Sequence, residues 1–477
     1  MKKILFVTSE AHPLIKTGGL ADVSGSLPKA LSDLGEDVRV IMPNYHAIKT
    51  TEEVRYLSTV HVNNYAVNIL ETRLPESNVI VWLVDCPEFF DCPGNPYVDD
   101  QGEPWENSAE RFALFCRVTV EVAMNRSWLD WKPDIVHCND WQSGLVPALL
   151  SLEHNRPATV FTIHNMAYQG IFPKAAYLSL NLPGQLWNMN GIEFHNKLSF
   201  LKGGLVYSDR ITTVSPTYAT EIQTADFGYG LEGLLSYRKD ALSGILNGID
   251  TGHWNPETDP NISQTFNHLT LNKKLINKEA LQSKLSLPVD KNIPIFGLIS
   301  RLVEQKGIDL IMDCLPEMLT HPLQFVLLGN GDKEFEQRLH DFAASHPDKL
   351  SVNIGYDETL AHLIEAGVDI FLMPSRFEPC GLNQIYSLRY GTVPIVRKTG
   401  GLADTVVDAL PETLQNNTAT GFVFDEASPG TLMEAIKRAL LLYSYPKSWK
   451  QLQINGMKKD YSWAKSAQQY ADLYNQL

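Results

Sequence analysis

The chain has 477 residues, 44% of them hydrophobic and 20% charged, with a net charge of −15. That length exceeds one ordinary domain and points to two or three, and the apolar-to-charged balance is that of a globular protein. The acidic surplus excludes a general nucleic-acid binder, which needs clustered Lys and Arg, but leaves room for a small phosphate-bearing ligand held by a few local cations. No apolar stretch approaches the ~18 residues of a membrane span. The N-terminal apolar run stops at Thr8-Ser9-Glu10, too soon for a secretory signal. The six cysteines form no C-x-x-C pair and no metal-ligand spacing, so they read as reduced thiols of a cytoplasmic protein.

In chain order, short apolar runs alternate with helix-period segments, the pattern of a doubly wound α/β fold. Strands are predicted in the first half at Ile4–Thr8, Val38–Met42, Val79–Asp85, Ile135–Cys138, Thr159–Ile163 and Ile211–Val214. A polar stretch from Asp250 to Asn292 carries no strand pattern and follows the turn Asn247-Gly248. The domain boundary is placed at its start, giving domains 1–250 and 251–459. Ile293–Ser300 opens the second half, where strands are predicted at Ile295–Ile299, Gln324–Leu328, Ile370–Met373 and Pro394–Arg397. Most of these runs are continuously apolar, which suits parallel strands covered on both faces. Two Rossmann-like domains facing each other across a deep cleft are expected. Residues 460–477 have aromatic and apolar positions at helical spacing and are expected to return onto the first domain.

Ligands of open parallel sheets bind at the carboxyl ends of the strands, and polar motifs gather at those ends. Lys16-Thr17-Gly18-Gly19-Leu20-Ala21-Asp22 lies just past the first strand and recurs as Lys398-Thr399-Gly400-Gly401-Leu402-Ala403-Asp404. A Lys beside paired glycines places a cation near a phosphate while backbone N–H groups donate to it. The alternative is a structural turn with a solvated Lys; position and repetition favour a site. Two further strands end in His137-Cys138-Asn139-Asp140-Trp141 and in His164-Asn165. His137 and Asn139 read as satisfied core residues. Asp140 is open between a helix cap and a group that orients ligand hydroxyls, and His164 is equally open.

In the second half, Arg301 and Lys306 flank one short loop and can converge on a diphosphate, Arg by bidentate contact and Lys as a point charge. Further on, Pro379 favours an extended Glu378. Gly381, Leu382 and Asn383 would start a helix whose N–H groups face a phosphate, with Glu378 beside the group attached to it. A first-turn Glu favoured by the helix dipole is the plainer reading; the density of polar residues favours function. Neither G-x-G-x-x-G nor G-x-x-x-x-G-K-[ST] occurs, so the nicotinamide-dehydrogenase and P-loop fingerprints are missing.

These residues resemble the bacterial glycogen synthase and plant starch synthase family. The resemblance rests on Lys16–Leu20, Asp140-Trp141, Phe161–Asn165 with Tyr168-Gln169-Gly170, Ser300-Arg301 with Gln305-Lys306-Gly307, Pro374–Leu382 and Thr399–Asp404, and so spans the chain. It implies the GT-B architecture and retaining transfer of glucose from ADP-glucose to the non-reducing end of glycogen or a linear α-1,4-glucan. ADP would be released, with no metal and no cofactor, and neither nucleic acid nor membrane would be a partner. By motif, Lys16 with Gly18 and Gly19 would reach the donor phosphate and sugar, and domain closure would bring Lys16 to the second-domain cations. Arg301 and Lys306 would hold the diphosphate and stabilise the leaving group. Glu378 would bind glucose hydroxyls, and His164 and Asp140 would stand near the reacting sugar. Tyr356 would stack on adenine, Asn247 would face the donor, and Tyr97 and Asp22 the acceptor. The broad retaining pattern has a second Glu where this chain has Tyr386. Lys306→Ala is expected to remove most of kcat at little cost in stability. The alternatives are a UDP-glucose-dependent retaining glucosyltransferase with another acceptor, or a non-catalytic glucan-binding protein.

Overall fold

A computed structural model describes all 477 residues. The chain forms two units, Met1–Gly248 with Trp463–Leu477, and Ile249–Ser462. The first crossing therefore lies two residues before the boundary placed from sequence.

The first unit carries β1 (Lys3–Val7), β2 (Asp37–Pro43), β3 (Arg55–Val62), β4 (Tyr65–Arg73), β5 (Ile80–Asp85), β6 (Ile135–Asn139), β7 (Ala158–Ile163), β8 (Ile171–Pro173), β9 (Glu193–Phe194), β10 (Lys197–Ser199), β11 (Arg210–Thr213) and β12 (Leu242–Gly244). Nine of them form one sheet in the order β12-β11-β7-β6-β1-β2-β5-β4-β3. The strands from β12 to β5 run parallel, as their continuously buried runs predict. β3 and β4 add an antiparallel hairpin at the edge. Its residues mix polar and apolar positions, and the two-residue turn Asn63-Asn64 joins the strands, with Asn63 in the left-handed region at φ 53°. That mixed polarity hid the hairpin from a search for apolar runs. β8, β9 and β10 form a small antiparallel sheet of their own.

The helix Gly19–Asp33 buries Leu20, Val23, Leu27 and Leu31, one stripe at helical spacing. The last helix, Trp463–Tyr474, lies against it within the first unit. Its Tyr474 hydroxyl stands 2.7 Å from His137 Nδ1, and His137 Nε2 is 2.6 Å from Thr162 Oγ1. Both imidazole nitrogens are thus satisfied in the core, and burial, with His164 nearby, pushes this imidazole down to about 3.

The second unit carries β13 (Ile295–Ile299), β14 (Gln324–Gly329), β15 (Leu350–Ile354), β16 (Ile370–Met373), β17 (Val393–Arg397) and β18 (Phe422–Phe424). All neighbours are parallel, in the order β15-β14-β13-β16-β17-β18. The polar stretch after Asp250 holds no strand; its one α-helix is Lys274–Lys284. The sulfhydryls of all six cysteines are unpaired. No helix is long and apolar enough to cross a membrane.

Candidate active site

In each unit the strand order reverses at one place, between β1 and β6 and between β13 and β16. The connections that leave such a pair run to opposite faces of the sheet, so a crevice opens at the carboxyl ends. Lys16, Asp140, Arg301, Lys306 and Glu378 sit on the loops that leave these strands, and His164, Asn247 and Tyr356 on loops after β7, β12 and β15.

In the first unit, the loop after β1 is organised by Glu10, which sequence reading passed over. Glu10 is only 2% exposed. Its Oε2 accepts the backbone N–H of Thr17 at 2.5 Å and that of Gly18 at 3.3 Å, fixing the loop that carries Lys16. Burial pushes this carboxyl up to about 7, against the N–H donors that pull it down. Tyr97 joins the same cluster, its hydroxyl 2.8 Å from Ser9 Oγ. Lys16 Nζ lies 2.7 Å from Asp22 Oδ1, so the two candidates are partners. The available signal was the polar triplet Thr8-Ser9-Glu10 directly after a buried strand.

Asp140 follows β6 with φ 56° and ψ 178°. This conformation costs a non-glycine residue ~1–3 kcal/mol and persists only where surroundings enforce it. Asp140 does not cap the turn Trp141–Ser143, so the capping alternative fails. Its Oδ1 accepts the backbone N–H of His164 at 2.7 Å instead. Burial pushes its carboxyl up to about 7; N–H groups of His164 and Asn165 oppose the rise, and the charge of Glu10 adds to it. His164 Nε2 stands 3.0 Å from Asn139 Oδ1, while Asn139 Nδ2 donates to Val7 O. Asn139, set aside from sequence as core, therefore orients His164. Burial pushes the His164 imidazole down to about 3, so it is neutral near pH 7. Asn247, past β12, is buried, and its Oδ1 has no hydrogen-bond partner.

In the second unit, Glu378 is 6% exposed and accepts from Lys306 Nζ at 2.6 Å and from Ser375 Oγ at 2.9 Å. Gln305 ties the two loops together: its Nε2 donates to Phe377 O, and its carbonyl accepts from Arg376 N at 2.8 Å. Arg301 is exposed and turns to Gln305 Oε1 at 3.3 Å rather than to Glu378. Gly381 takes the left-handed φ of 69° before Leu382 and the helix Asn383–Arg389, and Asn383 Nδ2 holds Ile299 O at the end of β13. Tyr356, past β15, is 77% exposed, with its hydroxyl toward Glu358. Because buried Glu378 relies on Lys306, truncating the lysine strands a carboxylate. The expectation that Lys306→Ala spares stability is therefore revised.

The two copies of the repeated heptapeptide differ. A Cβ on Gly400 would meet Glu378 O at 2.0 Å, and one on Gly401 would meet Cys380 O at 2.1 Å. A Cβ on Gly18 comes no nearer than 3.8 Å to Glu10 Oε1, and one on Gly19 meets nothing within 4 Å. Tyr386, at the position of the missing second Glu, is buried and stacks on Trp254 at 4.0 Å.

A family model described as starch synthase catalytic domain matches residues 3–237, and one described as glycosyl transferases group 1 matches residues 277–456. The chain is 57% identical to glycogen synthase 1 of Methylococcus capsulatus, covering 99% of this chain and 96% of that protein. It is 52% identical to the glycogen synthase of Cellvibrio japonicus over the full length of both. The solved catalytic domain of starch synthase IV from Arabidopsis thaliana, bound to ADP and acarbose, is similar with a TM-score of 0.91 and 34% identity, covering 100% of this chain and 99% of that one.

Two stability measurements test this geometry. Glu10 has a folded pKa near 7 against an ordinary 4.5. Between those values the folded protein keeps a proton that the unfolded chain releases, so this group's contribution to stability falls as pH rises. Glu10→Gln should therefore gain in melting temperature relative to the parent from about pH 5 to about pH 8. A difference independent of pH would contradict a buried, reluctantly ionised Glu10. Gly401→Ala should lower the unfolding free energy in urea by about 1–3 kcal/mol, since backbone must move. Gly19→Ala, in open space, should leave it unchanged or slightly raised.

Proposed function

The chain belongs to the glycogen synthase and starch synthase family of glycosyltransferases, and on that premise we propose that it transfers glucose from ADP-glucose to the non-reducing end of an α-1,4-glucan such as glycogen, with retention and release of ADP. The observation that carries this reading is the Lys306–Glu378 pair at the β13/β16 switch point. It sets a cation and a sugar-binding carboxylate side by side where a nucleotide sugar binds in such folds.

In the transfer, the bond between the anomeric carbon and the diphosphate oxygen breaks, and negative charge grows on the leaving ADP. Lys306 and Arg301 offset that charge as preplaced cations. They take the part a divalent metal would otherwise play, so neither metal nor cofactor is required. The diphosphate competes with Glu378 for Lys306 Nζ, which leaves Glu378 to accept from glucose hydroxyls. Tyr356 offers its exposed ring to adenine. In the first unit, Lys16 and the open backbone at Gly18 and Gly19 serve the donor phosphate and sugar, and the spare Oδ1 of Asn247 accepts a donor hydroxyl. Gly381, Leu382 and Asn383 direct N–H groups toward the phosphate. The acceptor hydroxyl attacks the anomeric carbon from the face the diphosphate leaves, and its proton passes to the departing phosphate. His164, its backbone held by Asp140, supports the positive charge on the sugar through its carbonyl. Tyr97 and Asp22 face the acceptor glucan. Six unpaired thiols suit a reducing, cytoplasmic setting.

The test is ADP release from ADP-glucose with and without glycogen, in EDTA, with UDP-glucose in parallel. Glycogen-dependent ADP release that survives EDTA is expected. Turnover of UDP-glucose alone would replace the donor, and glycogen binding with no nucleotide release would replace catalysis by binding. Lys306→Gln keeps a hydrogen-bond donor for Glu378 and removes the charge. Its kcat should fall by roughly 10²–10³-fold in a folded protein; near-normal kcat would remove Lys306 from leaving-group stabilisation.

A further inference from the structure

None of the residues given a role in transfer includes the two imidazoles and the carboxylate that the second unit gathers at His253, Glu358 and His362. His253 sits on a turn in which Asp250 Oδ1 accepts the N–H groups of Gly252 and His253. Glu358 and His362 lie four residues apart in the helix Glu358–Gly367, hence on one face. One ligating atom from each of the three lies within 4.8 Å of the others. His253 Nε2 already meets Glu358 Oε1 at 2.8 Å.

His362 makes this more than a surface cluster. It is 0% exposed. Its Nδ1 stands 2.7 Å from Asp259 Oδ2, a carboxylate oxygen that also accepts from Tyr390 OH at 2.5 Å. A carboxylate only accepts, so Nδ1 donates to Asp259 and Nε2 is the ring nitrogen left for another partner. That Nε2 is buried and has no hydrogen-bond partner. A buried polar atom left without a partner costs ~1–3 kcal/mol and calls for one. The ring is also fixed in place: Trp254 stacks on it at 3.8 Å and 9°, and Tyr386 stacks on Trp254. A histidine whose far nitrogen donates to a carboxylate and whose near nitrogen is bare is the arrangement that presents a metal ligand.

We propose that His253, Glu358 and His362 bind one divalent transition-metal ion of the zinc class, with Asp259 orienting His362 from behind. Two imidazoles and one carboxylate suit zinc, cobalt or nickel rather than magnesium or calcium, which prefer all-oxygen sites. Ligands stand ~2 Å from such an ion, so the more distant of the three must close in by roughly an ångström while the His253–Glu358 contact opens slightly to admit it. His253 and Glu358 supply that movement, because their side chains are 43% and 44% exposed. Water completes the coordination. The ion would staple the turn at the start of the second unit to the helix that follows Tyr356. Its removal by EDTA leaves bond breaking intact, because none of the three ligands touches the reacting groups; Glu358 alone meets a donor-binding residue, 3.5 Å from the Tyr356 hydroxyl.

The experiment uses untagged full-length protein, stripped with EDTA, dialysed, and titrated with zinc chloride by calorimetry and with cobalt chloride by visible absorption. One ion per chain is expected, with intense tetrahedral-type cobalt bands and a zinc-dependent rise in melting temperature. His253→Ala, at an exposed position that leaves the buried network whole, should weaken binding by roughly tenfold or more and abolish the melting shift. Absence of saturable uptake would overturn the proposal, as would uptake unchanged in both His253→Ala and Glu358→Gln.

Discussion

The carboxylate of Glu378 is buried in the loop after β16, and Lys306 Nζ donates to it. Desolvating an ion costs several kcal/mol, recovered only when the partner is close and the remaining lone pairs are used. Lys306 at 2.6 Å and Ser375 at 2.9 Å meet both conditions. The bond joins residues 72 positions apart and locks the loop after β13 to the loop after β16. Gln305 repeats the tie through the backbone of Phe377 and Arg376. The lysine is therefore held at the ends of β13 and β16 by the protein itself, before any ligand arrives.

The first unit solves the corresponding problem differently. Its buried carboxyls at the switch point are Glu10 and Asp140, both pushed up to about 7. Neither faces a cation within hydrogen-bonding distance. Both use their oxygens on backbone N–H groups, Glu10 on Thr17 and Gly18, Asp140 on His164. They shape the main chain and leave the charge to Lys16. The unusual backbone of Asp140 fits this role, since a carboxylate placed by a normal turn would have capped the next helix.

Much of this was legible because buried parallel strands are continuous apolar runs that end abruptly. The ends after β1, β6, β7, β13 and β16 were read correctly, and polar residues there have few other purposes. Strand order was not legible, and with it the fact that β13 lies beside β16. Lys306 and Glu378 were therefore each proposed without being recognised as partners. Glu10 and Asn139 escaped because each acts through another residue's orientation, which leaves no pattern along the chain. The aromatic stack of His362, Trp254 and Tyr386 escaped for the same reason. It also shows what Tyr386 does in place of the second Glu: it is buried against Trp254.

The repeated heptapeptide shows how little identity of sequence says about identity of role. In Lys398–Asp404 the glycines are demanded by the protein itself. Gly400 takes a left-handed φ of 42°, and the backbone of Glu378 and Cys380 occupies the space any Cβ would need. That close approach positions Glu378 from below, so the second copy acts as scaffold. In Lys16–Asp22 nothing in the protein requires a glycine. Gly18 has an extended backbone, Gly19 opens an ordinary helix, and a Cβ on either would meet no clash. Two adjacent glycines that cost conformational entropy and relieve no contact leave bare backbone open to an approaching group. The same seven residues thus pack against a neighbouring loop in one copy and leave their backbone open in the other.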